Sequence, residues 1–151
     1  MKEITIDYVL RETWLAVSKM YNEEAKKYDS TMATGFTLLS IDPKTGTPST
    51  ALGPKMGMEA TSLSRILKSL EEKGLIERKP NPNDGRGVLI HLTKFGLEKR
   101  ELSKNAVLSF NNEVRESIPE EKMKTFFDVA DTINKLISEK NIFSENTTNK
   151  K

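Results

Sequence analysis

The sequence has 151 residues, of which 36% are hydrophobic and 30% charged, and its formal net charge is +2. This length favours a single domain with its own core, and nothing in the composition indicates disorder. The chain has no cysteine and one histidine, which excludes disulfides, thiolate metal sites, cysteine nucleophiles and thiol redox switches. We therefore expect no bound metal and no cofactor.

The distribution of charged and apolar residues bears on location and partners. No run approaches the roughly 18 apolar residues that a membrane-spanning helix needs, and the first ten residues do not resemble a signal peptide. The expected location is the cytoplasm. Between Lys55 and Arg100 there are ten basic and six acidic residues, whereas the flanks are mildly acidic. A basic middle segment is a weak indication of a polyanionic partner.

Four helices are predicted in the first half of the chain, from apolar residues at helical spacing. Their ranges are 4–28, 32–41, 49–56 and 59–73, with a loop over 42–48. Thr31 and Ser49 are expected to cap the second and third helices. Gly57 separates the third helix from the fourth, and Gly74 stands where a helix commonly ends in a left-handed residue.

A hairpin and two long helices are predicted in the second half. The strands are expected over 75–79 and 88–92, joined by a tip of turn-forming residues over 80–87. Thr93 can cap a fifth helix that runs to about residue 116. Ser117 and Glu120 have the spacing of a capping box for a sixth helix, which ends near residue 140. The polar tail 141–151 is expected to fray.

The fourth helix is predicted to present a polar face to solvent. At about 100° per residue, Leu63, Ile66, Leu67 and Leu70 fall on one face. The opposite face and its flanks carry Thr61, Ser62, Ser64, Arg65 and Lys68. Hydroxyl groups and arginine suit the major groove of DNA, where arginine can donate two hydrogen bonds to guanine. An ordinary solvated helix face has the same composition, so this pattern leaves both interpretations open.

The tip of the hairpin places Arg86 between Gly85 and Gly87. Glycines allow the backbone to approach another surface closely, and an extended arginine can enter a narrow, electronegative minor groove. Asp84 could hold the guanidinium group and orient it. The alternative is a polar turn with a surface ion pair, but the position of the hairpin directly after the fourth helix favours a DNA-binding wing.

Segments 52–78 and 81–96 together resemble the MarR (multiple antibiotic resistance regulator) family. The first segment is similar to the family's recognition segment. In the second, Asp84 and Arg86 are followed by a strand that ends in Leu92-Thr93, with Gly96 beyond it, similar to the family's wing signature. Outside these segments the helices match only in order and length.

The resemblance implies a mainly α fold with a small β hairpin. This is a winged helix-turn-helix with N- and C-terminal dimerisation helices, in one domain over 1–151. The DNA-binding lobe would span 31–96, the dimerisation helices 1–28 and 97–140, and the frayed tail 141–151. The implied function is sequence-specific binding of double-stranded DNA, as a homodimeric repressor on a pseudo-palindromic operator. The implied DNA contacts are Thr61, Ser62, Ser64, Arg65, Lys68 and Arg86, with Asp84 as the partner of Arg86.

The resemblance also implies a small aromatic effector, bound between the dimerisation helices and the DNA-binding lobe. Trp14, Tyr21 and Phe36 are the candidate residues, although aromatic residues at helical spacing more often belong to a core or an interface. Two other functions stay open. A winged helix that binds protein would have an apolar outward face, against which Thr61, Arg65 and Lys68 argue. An enzyme would have to use carboxylates alone, so we expect none. The sequence specifies no operator, regulated gene, effector or sign of regulation.

Overall fold

The computed structural model describes residues 3–144, and within that range every side chain except that of Arg86. The chain divides into two compact units, residues 1–107 and 108–151. The elements in chain order are α1 (Ile6–Lys26), α2 (Met32–Ser40), β1 (Thr47–Pro48), α3 (Ser49–Met56), α4 (Ala60–Glu72), β2 (Ile76–Asn81), β3 (Asp84–Leu92), α5 (Lys94–Ser117) and α6 (Glu120–Glu139). The predicted class, mainly α with a small β hairpin, is confirmed.

The first unit contains the main hydrophobic core. Strand β3 lies in the centre of an antiparallel sheet, with β1 on one side and β2 on the other. Apolar side chains of α2, α3 and α4 pack with those of β2 and β3, which excludes water from one side of the sheet. The buried members of this cluster are Leu38, Ile41, Leu52, Leu63, Leu67, Leu70, Leu75, Ile76 and Ile90.

Two predicted helix caps are confirmed. The Thr31 hydroxyl accepts a hydrogen bond from the backbone N–H of Thr34 at 3.1 Å. The Thr93 hydroxyl accepts one from the N–H of Gly96 at 3.0 Å, in the first turn of α5. Each bond satisfies an N–H group that has no partner within its own helix. In addition Thr5, which the sequence analysis did not single out, caps α1.

The two other predicted caps are wrong. Pro48 stands at the N-cap of α3, because the chain passes directly from the paired strand β1 into the helix, and Ser49 is the first helical residue. Ser117 is the last residue of α5, and its hydroxyl donates to the Glu113 carbonyl at 2.8 Å. Pro119 is the N-cap of α6. The serine is thus used by the preceding helix and cannot form a capping box with Glu120.

The loop and the hairpin tip contain more strand than predicted. Thr47 and Pro48 pair with Ile90 and Leu89, which makes strand β1 out of the end of the predicted loop. In the hairpin, pairing extends from Ile76 opposite Leu92 to Asn81 opposite Asp84, with an irregularity after Pro80. The turn therefore contains only residues 82 and 83. Cross-strand hydrogen bonds thus extend almost to the tip of the hairpin and stiffen it.

The outer helices carry large apolar side chains that this single chain leaves exposed. On α1, Leu10 is 50% exposed and Trp14 54%. On α6, in the second unit, Phe126 is 57% exposed and Ile137 64%. Residues 141–144 follow α6 as a short turn, and the rest of the predicted frayed tail, 145–151, lies outside the described residues. No helix within 3–144 is long and apolar enough to cross a membrane.

Candidate nucleic-acid interface

Helix α4 separates a buried apolar face from an exposed polar face. Leu63, Leu67 and Leu70 are buried in the core of the first unit, with 5%, 3% and 0% of their surface exposed. The structure brings the predicted contact residues of this helix together on the exposed side: Thr61, Ser62, Ser64, Arg65 and Lys68. The burial of the leucines determines the rotation of α4 about its axis and so directs these five side chains outward.

The cations of the exposed face are available to a partner. Among the side chains that the structure describes, neither the Arg65 guanidinium nor the Lys68 ammonium group takes part in an ion pair or hydrogen bond. Lys55 differs, because its ammonium group donates to the Ser40 carbonyl at 2.7 Å and links α3 to the end of α2. A phosphate would have to compete with that carbonyl for Lys55, but not for Arg65.

A tight turn joins α3 to α4. Gly57 has a left-handed backbone with φ 64°, and the N–H of Met58 donates to the Gly53 carbonyl at 2.9 Å. Residue 57 favours glycine because other residues are strained in this conformation. Glu59 follows at the N-cap of α4, but its side chain makes no capping hydrogen bond. A carboxylate that does not cap thus stands at the end of the helix where Thr61 and Ser62 are exposed.

An ion pair connects the hairpin to α4. The Arg78 Nε atom of β2 lies 3.0 Å from Glu71 Oε2, near the end of α4. The alternation of side chains in a strand places Arg78 on the same side as the buried Ile76, which is the side that α4 covers. Sequence reasoning missed this pair, although the same alternation could have indicated it. The pair lies at the surface, so it marks a contact between the wing and α4 and contributes little to stability.

The tip of the hairpin exposes polar side chains. The Asn83 N–H donates to Asn81 Oδ1 at 3.0 Å and closes the turn, and Asp84 is exposed. A Cβ atom at Gly87 would lie 3.2 Å from Asp84 Oδ2, so the carboxylate lies close to the Gly87 backbone. The backbone of Arg86 belongs to β3, but its side chain lies outside the described part of the structure. The pairing of Asp84 with Arg86 stays a prediction.

A separate pocket, partly open to solvent, lies in the first unit between α1, α2 and α5. Tyr21 and Phe36 line it with their rings edge to face, 5.6 Å between centroids. Burial raises the pKa of the Tyr21 hydroxyl above its ordinary value. Trp14, the third residue predicted to bind a ligand, does not line this pocket and is half exposed on α1.

Two charged residues line this pocket, Glu24 of α1 and Lys99 of α5, and neither was predicted. Lys99 of α5 lines the pocket, and its ammonium group lies 5.9 Å from the centroid of the Tyr28 ring and 5.5 Å from that of Phe95. It also donates to the Tyr28 carbonyl at 3.4 Å. These residues are 71 positions apart in the chain, so no local pattern indicates the contact. The pocket therefore combines aromatic walls with one carboxylate and one ammonium group.

Comparison with known proteins places this fold in a family. Residues 31–88 match the MarR family. The transcriptional regulator SarZ of Staphylococcus saprophyticus is 30% identical over 106 residues, which is 68% of this chain and 73% of SarZ. The chain belongs to the MarR family. The multiple antibiotic resistance protein MarR of Escherichia coli is 37% identical over 78 residues, 52% of this chain and 54% of MarR. The chain thus matches about half the length of that relative.

Solved structures of E. coli MarR and of CouR have the same fold. A cysteine-to-serine variant of E. coli MarR in complex with operator DNA superposes with a TM-score of 0.75 at 26% identity, over 85% of this chain and 92% of that one. CouR of Rhodococcus jostii, bound to p-coumaroyl-CoA, superposes with a TM-score of 0.76 at 22% identity, over 85% and 90%. The resemblance found in the sequence and the winged helix-turn-helix fold are confirmed. The individual DNA contacts stay predictions.

Proposed function

We propose that this MarR-family chain is a transcriptional regulator that binds double-stranded DNA in a sequence-specific manner. The observation that carries the proposal is the exposed face of α4, where Arg65 and Lys68 stand without a competing partner beside three hydroxyl side chains. Helix α4 would enter the major groove, with Thr61, Ser62, Ser64 and Arg65 at base edges and phosphates. The wing would place Arg86 in the adjacent minor groove, oriented by Asp84.

The polar character of this face supports DNA over a protein partner. The centre of a protein–protein interface is depleted in charged residues, whereas the outward face of α4 presents two cations and no large apolar side chain. The relatives named above are regulators, and we propose that this chain has no catalytic activity. A regulator of this kind acts where chromosomal DNA is, which is the reason to propose the cytoplasm as its location.

The exposed apolar surfaces support a homodimer. Leu10 and Trp14 of α1, and Phe126 and Ile137 of α6, are at least half exposed in the single chain. Large apolar side chains that are exposed along a helix often mark an interface with a partner. A two-fold dimer would bury these helices and present two copies of α4 to DNA, so that the operator is a pseudo-palindrome. The dimerisation segments would be 1–28 and 97–140, with 31–96 as the DNA-binding lobe.

The pocket supports a response to a small aromatic effector. Tyr21 and Phe36 provide aromatic walls, and α5, which supplies Lys99, leads directly from the wing. A ligand that displaced α5 would change the spacing of the two α4 helices and lower DNA affinity. This is the behaviour of a ligand-responsive repressor. Trp14 is not part of this pocket and belongs with the dimer surface in this proposal.

Selection of bound sites from random duplex DNA tests the function directly. We expect enriched sequences to contain two inverted half-sites with centres about 10 base pairs apart, or a multiple of that spacing. Affinity for the enriched site should fall steeply with salt as counterions are released. Sedimentation of the same preparation at micromolar concentration should show a dimer. No enrichment from an intact dimer would reject DNA recognition, and a monomer that enriched single half-sites would reject the palindromic operator.

A further inference from the structure

The end of helix α4 is attached to the start of helix α5 by one side chain. The Thr93 hydroxyl donates to the Gly74 carbonyl at 2.6 Å, and the Thr93 N–H donates to the Leu75 carbonyl at 3.1 Å. The same hydroxyl accepts from the Gly96 N–H and so caps α5. Thr93 therefore holds two carbonyl groups beyond α4 while it begins α5.

The residues that Thr93 holds are in turn attached to the last turn of α4. Gly74 has a left-handed backbone with φ 73°, and its N–H donates to the Glu71 carbonyl at 3.0 Å. The N–H of Leu75 donates to the Leu70 carbonyl at 2.9 Å, which completes a Schellman-type helix end. The connection from α4 to Thr93 is thus a continuous series of short hydrogen bonds with no flexible segment in it.

Gly96 allows α5 to lie directly against this helix end. A Cβ atom at residue 96 would overlap the Leu75 carbonyl oxygen and lie 3.0 Å from its carbon. Gly96 itself is buried. Both the N–H and the carbonyl group of Leu75 form backbone hydrogen bonds. Leu75 therefore cannot move aside without breaking one of them. Any larger residue at 96 would push the start of α5 away from the end of α4.

We propose that Thr93 is a positioning residue for DNA recognition. It transmits the orientation of α5 to α4, so that the separation of the two recognition helices in a dimer is set by α5. The proposal rests on the proposed function, because it concerns how α4 is presented to DNA. Its basis is the three hydrogen bonds of one threonine together with the close approach at Gly96.

The consequence concerns the spacing of half-sites. One base pair added between half-sites rotates one of them by about 35° about the DNA axis. A rigid attachment resists this rotation, and operators with altered spacing bind poorly. A loosened attachment lets α4 adjust, which costs affinity for the correct operator because preorganisation is lost. The spacing penalty, which is the loss of affinity when the spacing of the half-sites is changed, should then become smaller. Affinity for random DNA should stay the same.

The experiment compares Thr93→Val, which keeps the shape but removes the hydroxyl, with Thr93→Ser, which keeps the hydroxyl. Affinities are measured for the selected operator, for versions with one base pair added or removed between half-sites, and for random duplex. Thr93→Val removes both hydrogen bonds of the hydroxyl. It should weaken binding to the correct operator roughly 5-fold to 30-fold, the typical effect of one to two lost hydrogen bonds, and should reduce the loss of affinity caused by a wrong spacing. Thr93→Ser should behave as the parent chain.

Thr31→Val is the matched control, because it removes a similar capping bond from α2 and leaves the attachment of α4 intact. It should keep the full spacing penalty. An unchanged penalty in a folded, dimeric Thr93→Val would overturn the proposal, whereas failure of the parent chain to bind any DNA would instead reject the proposed function.

Hydrogen exchange on the parent chain tests the attachment even if Thr93→Val does not fold. The amides of Thr93 and Gly96 should be protected to the same degree as those of Leu63 and Leu67 within α4. Exchange more than about tenfold faster at Thr93 and Gly96 would show that the attachment opens separately from α4, and it would overturn the proposal.

Discussion

Substitution of Arg65 by alanine separates DNA binding from folding. Arg65 is exposed, and no described side chain pairs with it. Its removal should therefore change the free energy of unfolding by less than about 0.5 kcal/mol, as is usual for surface positions. A base contact made by this arginine is worth about 1–3 kcal/mol. Since a dimer presents the residue twice, the loss of binding free energy should be about 2–6 kcal/mol if the half-sites are independent.

That loss corresponds to a dissociation constant about 30-fold to 2 × 10⁴-fold larger. Fluorescence anisotropy of a labelled operator, measured at several salt concentrations, would give the value. Titration of single-base variants of the operator should show that Arg65→Ala loses discrimination at one position in each half-site. At the position that the arginine contacts, the variant should bind all four bases with similar affinity. At the other positions the variant should discriminate as the parent chain does.

Lys73→Ala is the matched control on the same helix. Lys73 is exposed at the C-cap of α4, eight residues or about 12 Å further along the axis. The Lys73→Ala substitution removes one positive charge, as Arg65→Ala does. We expect it to cause at most a small loss of DNA affinity that is uniform across sequences. If Arg65→Ala binds the operator as tightly as Lys73→Ala does, and discriminates bases equally well, the exposed face of α4 is not the surface that determines sequence preference.

Two further predictions follow from the helix cap and the pocket. Glu59→Ser should stabilise the fold by about 0.5–1 kcal/mol, because serine can cap α4 and the glutamate does not. Glu59→Ala should not stabilise the fold, although both variants should bind DNA more tightly. Equal stabilities of the two variants in a denaturant titration would contradict the capping argument. The raised pKa of Tyr21 favours the protonated hydroxyl in the folded chain. The contribution of this hydroxyl to stability is therefore complete below pH 10, and it is lost as the pH rises through 10 towards the raised pKa. Between pH 8 and pH 11 the free energy of unfolding should thus fall less in Tyr21→Phe than in the parent chain. Tyr8→Phe is the control, because Tyr8 is 55% exposed, and it should behave as the parent chain. The same fall in all three proteins would show that burial of Tyr21 does not make stability depend on pH.

The polar face of α4 could be predicted from the sequence because its cause is local. Leucine at positions 63, 67 and 70 alone determines which side of the helix turns to the core, and the remaining side chains follow from the helical period. The left-handed Gly57 and Gly74, and the caps at Thr31 and Thr93, are local in the same sense. Ser49 and Ser117 were misassigned because a serine near a helix start competes with its neighbours, and a proline took the N-cap in both places.

The contacts that join separate elements could not be predicted in this way. Lys99 reaches the Tyr28 carbonyl across 71 positions, and Thr93 holds Gly74 across 19. Strand β1 exists only because β3 passes beside Thr47 and Pro48. The sequence by itself determined the helices, the hairpin, the polar face of α4 and the resemblance to the MarR family. Only the tertiary structure decided the pocket, the ion pair between Arg78 and Glu71 and the attachment of α4 to α5, because these depend on which distant backbone and side-chain groups the packed core brings within hydrogen-bonding distance.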